Sequence, residues 1–171
     1  SEGIFAVESS LQREMNYTLT TDQAFKLIMD YSHWRANPKL VRAFVDKSAD
    51  SIEWLKANGV SFEKLTSNYP GGLYTWHIYH GRGAGWIKTL QDKFTALGNP
   101  IMTETGATDL IKENGKVVGV IAKSKSGEKI ELRSKAVIIA TGGFGNNKEM
   151  LEKYVRFPNA APVANVGKMG D

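Results

Sequence analysis

The sequence predicts an α/β fold, and three observations predict it. Apolar residues recur at helical spacing through the first half. Short β-type runs joined by glycine turns fill much of the second half. A continuous apolar run, Ala136-Val137-Ile138-Ile139-Ala140, then ends in Thr141-Gly142-Gly143 ahead of a helical segment. Strand, glycine turn and helix in that order are the unit from which open α/β sheets are built.

The helical half reads as follows. Thr20 with Gln23 offers a capping box, in which the N-cap hydroxyl and the third-residue amide satisfy each other's backbone donors. Ala24, Phe25, Leu27, Ile28 and Tyr31 follow as an apolar stripe. Asn37-Pro38 starts another helix, with Asn as N-cap and Pro tolerated at the first helical position. Leu40, Val41, Phe44, Val45, Ser48, Ile52 and Leu55 continue at spacings of three and four, so one helix is expected from Pro38 to Asn58-Gly59, where the glycine supplies a left-handed C-terminal cap. Residues 60–84 read as irregular, with turn chemistry at Tyr69-Pro70-Gly71-Gly72. Residues 85–97 read as an amphipathic helix with Ile87, Leu90, Phe94 and Leu97 on one face and Gly98 as its stop.

The period then changes. Ile101-Met102-Thr103 is a short strand candidate. Residues 108–112 and 117–122 read as strands joined through Asn114-Gly115, a pair that tolerates the positive φ of a type I′ turn. Lys125-Ser126-Gly127-Glu128 turns into a third strand at Ile130-Glu131-Leu132, completing an antiparallel meander. The unalternating run 136–140 is expected to be a strand of a parallel sheet, buried on both faces. Asn146 or Asn147 can cap a last helix through Tyr154. The organisation expected is 1–99 mainly helical, 100–141 strands, and 142–171 turn, helix and exit segment.

The 171 residues suffice for one domain with a core, and 42% apolar with 23% charged residues is ordinary globular composition. The net charge of +4 comes from dispersed Lys and Arg rather than a patch, so a nucleic-acid partner is not expected. There are no cysteines, which excludes disulfides, thiolate metal sites and Cys nucleophiles within the chain. No apolar run approaches the roughly 18 residues of a spanning helix. The segment Ser1-Glu2-Gly3-Ile4-Phe5 lacks the positive start of a signal peptide and an initiator Met. Both ends are expected to be interior to a longer protein.

Few residues carry chemistry. The strand–Thr141-Gly142-Gly143–helix unit places glycines where a backbone can approach a ligand closely, although an unliganded tight turn has the same pattern. Gly81-Arg82-Gly83-Ala84-Gly85 lacks the spacing of a dinucleotide fingerprint, and residues 69–80 do not read as a strand before it. It is expected to be a flexible lead into the next helix. His77 and His80 have no third ligand nearby in sequence and are expected to hydrogen-bond or lie at the surface. The four tryptophans are expected in the core or at a domain interface. No G-x-S-x-G elbow is present.

In combination, "NGKVVGV" at 114–120 and "KAVIIATGGFG" at 135–145 resemble one family, the FAD-binding flavoproteins that include fumarate reductases and succinate dehydrogenase flavoprotein subunits. Residues 40–60 resemble a helix of these proteins that ends in a W-L-x-x-x-G-V turn. Residues 81–98 resemble their G-x-G–helix–G segment, and Gly170-Asp171 resembles the start of their G-D-G motif. The resemblance implies part of an FAD/NAD(P)-binding domain of the glutathione reductase-like fold, with the pyrophosphate loop upstream and a substrate-capping domain downstream. FAD is the implied cofactor, and flavin hydride transfer to a polarised C=C bond, with an Arg as proton donor, is the implied reaction. The implied partners are an unsaturated acid or enone and an electron donor. No catalytic residue can be matched in this chain. Cofactor lining is implied at Ser1, Glu2 and Gly3, at Ala107, at Thr141, Gly142 and Gly143, and at Asp171. Glu2 stands where small residues are usual, and Ile4 where a second glycine is common. The alternatives are a non-catalytic α/β module, or another nucleotide-binding protein in which the Thr-Gly-Gly turn is coincidental.

Overall fold

The computed structural model describes residues 2–67, 70–145 and 147–155, and the chain divides into two units between Ile101 and Met102. In the first unit, β1 (Gly3–Phe5) leads into α1 (Ser10–Glu14). The cap of α1 is reciprocal: the Ser9 hydroxyl accepts the Gln12 N–H, and the Gln12 side chain accepts the Ser9 N–H. The same device starts α2 (Thr21–Tyr31), where Thr20 and Gln23 pair as their spacing indicates.

The helix begun by Asn37 is capped as expected, its side chain accepting from the Lys39 and Leu40 N–H groups. It is two helices, however, not one. α3 (Pro38–Asp46) and α4 (Ser48–Ala57) are separated at Lys47. Ser48 is the physical reason. Its buried hydroxyl donates to the Val45 carbonyl at 2.7 Å and accepts the Val7 N–H at 3.1 Å, tying the joint to the segment after β1. Serine hydroxyls compete in this way with helical hydrogen bonding.

Two strands also form within 60–84, where the composition suggests none. β2 (Phe62–Thr66) and β3 (Trp76–Tyr79) join β1 in an antiparallel sheet of order β1-β3-β2. As the central strand, β3 has His77, Ile78 and Tyr79 all buried, so no alternating pattern marks it in the sequence. It leads through Gly81, a left-handed N-cap at φ 67°, into α5 (Arg82–Ala96), which begins three residues before the expected start at 85. Two apolar clusters form beside this sheet. Val7, Leu19, Ala24 and Val45 make one, and Leu55, Val60 and Tyr79 the other. Phe62, Tyr79 and Trp86 stack in sequence, with centroids 5.4 and 5.3 Å apart.

The second unit contains the meander β4 (Thr105–Glu113), β5 (Lys116–Ser124) and β6 (Lys129–Arg133), in that order. Asn114 and Gly115 take φ values of 50° and 77° in the first turn, as a type I′ turn requires. α6 (Lys148–Tyr154) is capped by Asn147. Two expectations are corrected here. Residues 101–103 are not a strand, and neither is 136–140. Ile138 is 90% and Ile139 69% exposed. An interior strand of a parallel sheet needs a hydrogen-bonding neighbour on each side, and both sheets of the described residues are wholly antiparallel.

His77 is the buried polar centre of the first unit. Its Nδ1–H donates to the Thr75 carbonyl at 3.2 Å, which leaves Nε2 to accept from the Ser9 hydroxyl at 2.7 Å. Gln12 extends the chain by donating to the Tyr74 carbonyl at 2.7 Å. Burial holds the imidazole pKa below its ordinary value. The folded protein therefore binds fewer protons here than the unfolded chain. Stability from this group is complete above about pH 6.5, the unfolded value, and falls as the pH drops below it. Urea unfolding at pH 7.5 and 5.5 is expected to show this loss in the wild type and a flatter profile in His77→Gln. Asp30, Asp46 and Glu53, whose pKa values are lowered by their partners, keep their contribution at both pH values, since it is lost only as the pH falls below about 4.5, and so do not confuse the test. Ser9→Ala removes both the cap and the histidine's partner, and is expected to cost about 1–3 kcal/mol in the same assay.

Candidate cofactor site

The residues singled out by sequence fall in both units. Glu2 and Gly3 open the first. Ala107, Thr141, Gly142 and Gly143 belong to the second. Ser1 and Asp171 lie outside the described residues.

Gly3 sits in β1 opposite Ile78. A Cβ there would meet the His77 carbonyl oxygen at 2.4 Å, well inside contact distance. Gly3 is therefore required by strand packing, whatever else it touches. Glu2 is fixed at its backbone, where its carbonyl accepts the Tyr79 N–H at 3.0 Å. Its carboxylate reaches Arg82, at the start of α5, at 3.4 Å. Beside this pair lies a pocket of about 260 Å³ whose lining includes Lys64, Thr66, Trp76 and Ile78. Sequence reading missed it, because its walls come from β2, β3 and α5. The Gly81–Gly85 segment is tightly packed rather than flexible: a Cβ on Gly85 would stand 2.2 Å from the His80 carbonyl oxygen.

The glycines of the second unit behave differently. Nothing lies within 4 Å of a Cβ built on Gly106, Gly142 or Gly143. Gly142 has φ 83°, a conformation that favours glycine. Ala107 is exposed on β4, paired with Ala122, and next to an irregularity of the ladder at Thr108. Irregularities of this kind re-aim side chains beside many sites. Both stretches offer exposed backbone with open space in front of it, the condition for close approach of a ligand.

Other groups are less suited to chemistry. Ser9 and His77 are a serine–histidine pair within hydrogen-bonding distance, but both are fully buried and Ser9 Oγ is engaged as a helix cap. They form a structural set. The S-x-x-Q spacing of Ser9 and Gln12 was the signal that could have revealed it. Among the described residues, no three His, Asp or Glu gather as a metal site, and no helix is long and apolar enough to cross a membrane.

Known proteins resemble this chain along its whole length. The model of the FAD binding domain family matches residues 1–171. The chain is 34% identical over its whole length to a vinyl phenol reductase of Lactiplantibacillus plantarum, of which it covers 36%. It is 35% identical over 67% of its length to an NADH:acrylate oxidoreductase of Vibrio harveyi, covering 12% of that protein. The open conformation of a flavocytochrome c3 fumarate reductase superimposes with a TM-score of 0.80 at 25% identity, over 91% of this chain and 28% of that one. The chain thus spans about a third or less of the relatives it matches.

An α/β chain with open glycine turns of this kind leaves room for a nucleotide-type ligand. This one belongs to the FAD binding domain family, and the cofactor is FAD. The match along the whole chain gives no support to the alternative of another nucleotide-binding protein. The residues present fit such a group in one respect: the unobstructed backbone at Gly106, Gly142 and Gly143 leaves room for a sugar or flat ring.

The two kinds of glycine are separable by mutation. Gly3→Ala is expected to cost at least about 1–3 kcal/mol through overpacking against His77. Gly143→Ala, facing open space, is expected to change stability by less than about 0.5 kcal/mol. Denaturant unfolding of both variants checks the contrast.

Proposed function

We propose that this chain is part of the FAD-binding domain of an oxidoreductase that reduces an activated carbon–carbon double bond. The observation that carries the proposal is the 34% identity to a vinyl phenol reductase along the full chain. The acrylate oxidoreductase and the fumarate reductase support the same reaction class, since each acts on a double bond conjugated to a polar group.

The bound flavin supplies hydride chemistry, and the protein supplies position and electrostatics. In this proposal the open backbone at Ala107 and at Thr141, Gly142 and Gly143 receives the adenosine part of FAD. Ser1, Glu2 and Gly3 lie toward the flavin ring, and Asp171 adds a further contact. Residues 1–171 contribute the central part of the domain, with 1–99, 100–141 and 142–171 as its successive portions. The substrate is an unsaturated acid, an enone or a vinyl phenol, and a separate electron donor reduces the flavin. No residue of this chain is assigned a proton-transfer role.

The protein that carries this chain, reduced anaerobically and mixed with fumarate, acrylate, a vinyl phenol or a cyclic enone, is expected to regain its yellow flavin absorbance with one of these substrate classes. The saturated analogue should leave it bleached. Reoxidation by none of the four overturns the proposal.

The isolated 171-residue chain is expected to bind FAD only at micromolar concentrations or weaker. Its proposed contacts are backbone, small side chains and two carboxylates, with no cation among them to clamp the phosphates strongly. Calorimetry checks this, and a nanomolar constant would contradict it.

A further inference from the structure

We infer that Asn114-Gly115 is a site of spontaneous covalent modification, where the asparagine passes through a cyclic imide to isoaspartate, and that the fold protects the chain's other Asn-Gly pair, Asn58-Gly59. The inference is independent of the proposed function.

The sequence holds two Asn-Gly pairs, and their chemistry is the same. The amide nitrogen of the glycine attacks the side-chain carbonyl carbon, Cγ, of the asparagine. A bond forms between that nitrogen and Cγ, and the Cγ–Nδ2 bond breaks. The proton given up by the glycine N–H leaves with Nδ2 as ammonia. Water then opens the imide at either carbonyl, giving aspartate or isoaspartate. Nothing is oxidised or reduced. Glycine favours the step because no Cβ hinders its nitrogen. The fold controls whether the nitrogen and Cγ are free to meet.

At Asn58-Gly59 both groups are engaged. The pair ends α4, with Gly59 at φ 89°. The Asn58 carboxamide donates to the Trp54 carbonyl at 2.8 Å. The Gly59 N–H donates to the Lys56 carbonyl at 3.0 Å. The next residue, Val60, donates to the Leu55 carbonyl and is buried in a cluster with Leu55 and Tyr79. Attack at Asn58 would break the helix cap and pull Val60 from its cluster.

Asn114-Gly115 has no such restraint. Residues 112–116 are all exposed. Among the described residues, neither the Asn114 side chain nor the Gly115 N–H has a hydrogen-bond partner. The two residues stand at φ 50° and 77° between the paired Glu113 and Lys116. Flipping the one peptide between them exchanges a type I′ turn for a type II′ turn. Both are two-residue hairpin turns, so the flanking pairing survives. The flip carries the Gly115 nitrogen round to the Asn114 side chain. Isoaspartate then adds a main-chain carbon to a turn with no slack. It also sets a new carboxylate beside Glu113, which is held to Arg133 of β6 at 2.6 Å. Modification therefore loosens the β4–β5 end of the meander and leaves an exposed isoaspartyl group.

The test ages the full 171-residue chain at mildly alkaline pH, native and in urea, and maps both pairs by mass spectrometry. In the native chain the Asn114 peptide is expected to gain the mass of one deamidation roughly tenfold faster than the Asn58 peptide, the factor carried by two net hydrogen bonds. In urea the two are expected to convert at similar rates. A methyltransferase specific for isoaspartyl carboxylates, supplied with S-adenosylmethionine, is expected to label residue 114 of the aged native chain. Equal rates in the native chain overturn the inference, as does an Asn114 that converts in urea and stays intact in the native chain. The same rate difference persisting in urea overturns protection by the fold. A converted turn that takes no methyl label shows direct hydrolysis to aspartate and overturns the imide route.

Discussion

The first unit depends on the pairing of β3 with strands on both its edges. A three-residue strand such as β1 has little stability of its own, and β2 is only five residues long. Both are held by main-chain hydrogen bonds to the four residues Trp76–Tyr79. The inner face of that strand carries His77, whose two ring nitrogens are spent on Thr75 and Ser9. Through Ser9 the strand reaches the cap of α1, and through Gln12 it reaches the Tyr74 carbonyl. A buried imidazole with both nitrogens satisfied stabilises the arrangement, whereas loss of either partner would leave a desolvated polar atom. Trp76 and Ile78 of the same strand line the pocket beside Glu2 and Arg82. One short strand thus organises the buried polar cluster and one wall of that pocket.

Glycines show how one residue type serves opposite ends. At Gly3, Gly85 and Gly119 a Cβ would stand 2.2–2.4 Å from a carbonyl oxygen of a neighbouring segment, so hydrogen is the only substituent the backbone packing allows. At Gly142 and Gly143 nothing is near, so packing gives no reason for glycine. At Gly142 the φ of 83° gives one, and the approach of FAD is the reason proposed for both. Glycine-rich sequence alone does not distinguish these cases, because the distinction lies in what stands opposite.

Much of the site was legible only through resemblance. The Thr141-Gly142-Gly143 turn could be marked as a ligand-approach element from its position after an apolar run, but the cofactor could not be derived from it. Trp76 carried no signal. Its neighbours in the pocket come from positions 2, 63, 64, 66, 67, 78 and 82 and share no single spacing. His77 was read as hydrogen-bonding but not as buried, because its partner Ser9 lies 68 residues away. Residues 136–140 show the opposite failure. Their apolar run states a preference for burial between strands, and a preference of that kind is realised only where neighbours are present.

What the sequence determined by itself is local. The Thr20–Gln23 box, the Asn37-Pro38 start, the Asn114-Gly115 turn and the strands on either side of it each depend on groups within a few residues, so their chemistry is complete in the chain. The tertiary structure decided the rest: the break at Lys47, the central strand at 76–79, the buried histidine and the pocket beside Glu2. Each of these depends on a partner distant in sequence, the Val7 N–H for Ser48, the edges of β1 and β2 for β3, and Ser9 for His77. Hydrogen bonds and packing contacts of that kind exist only once the chain has folded around them.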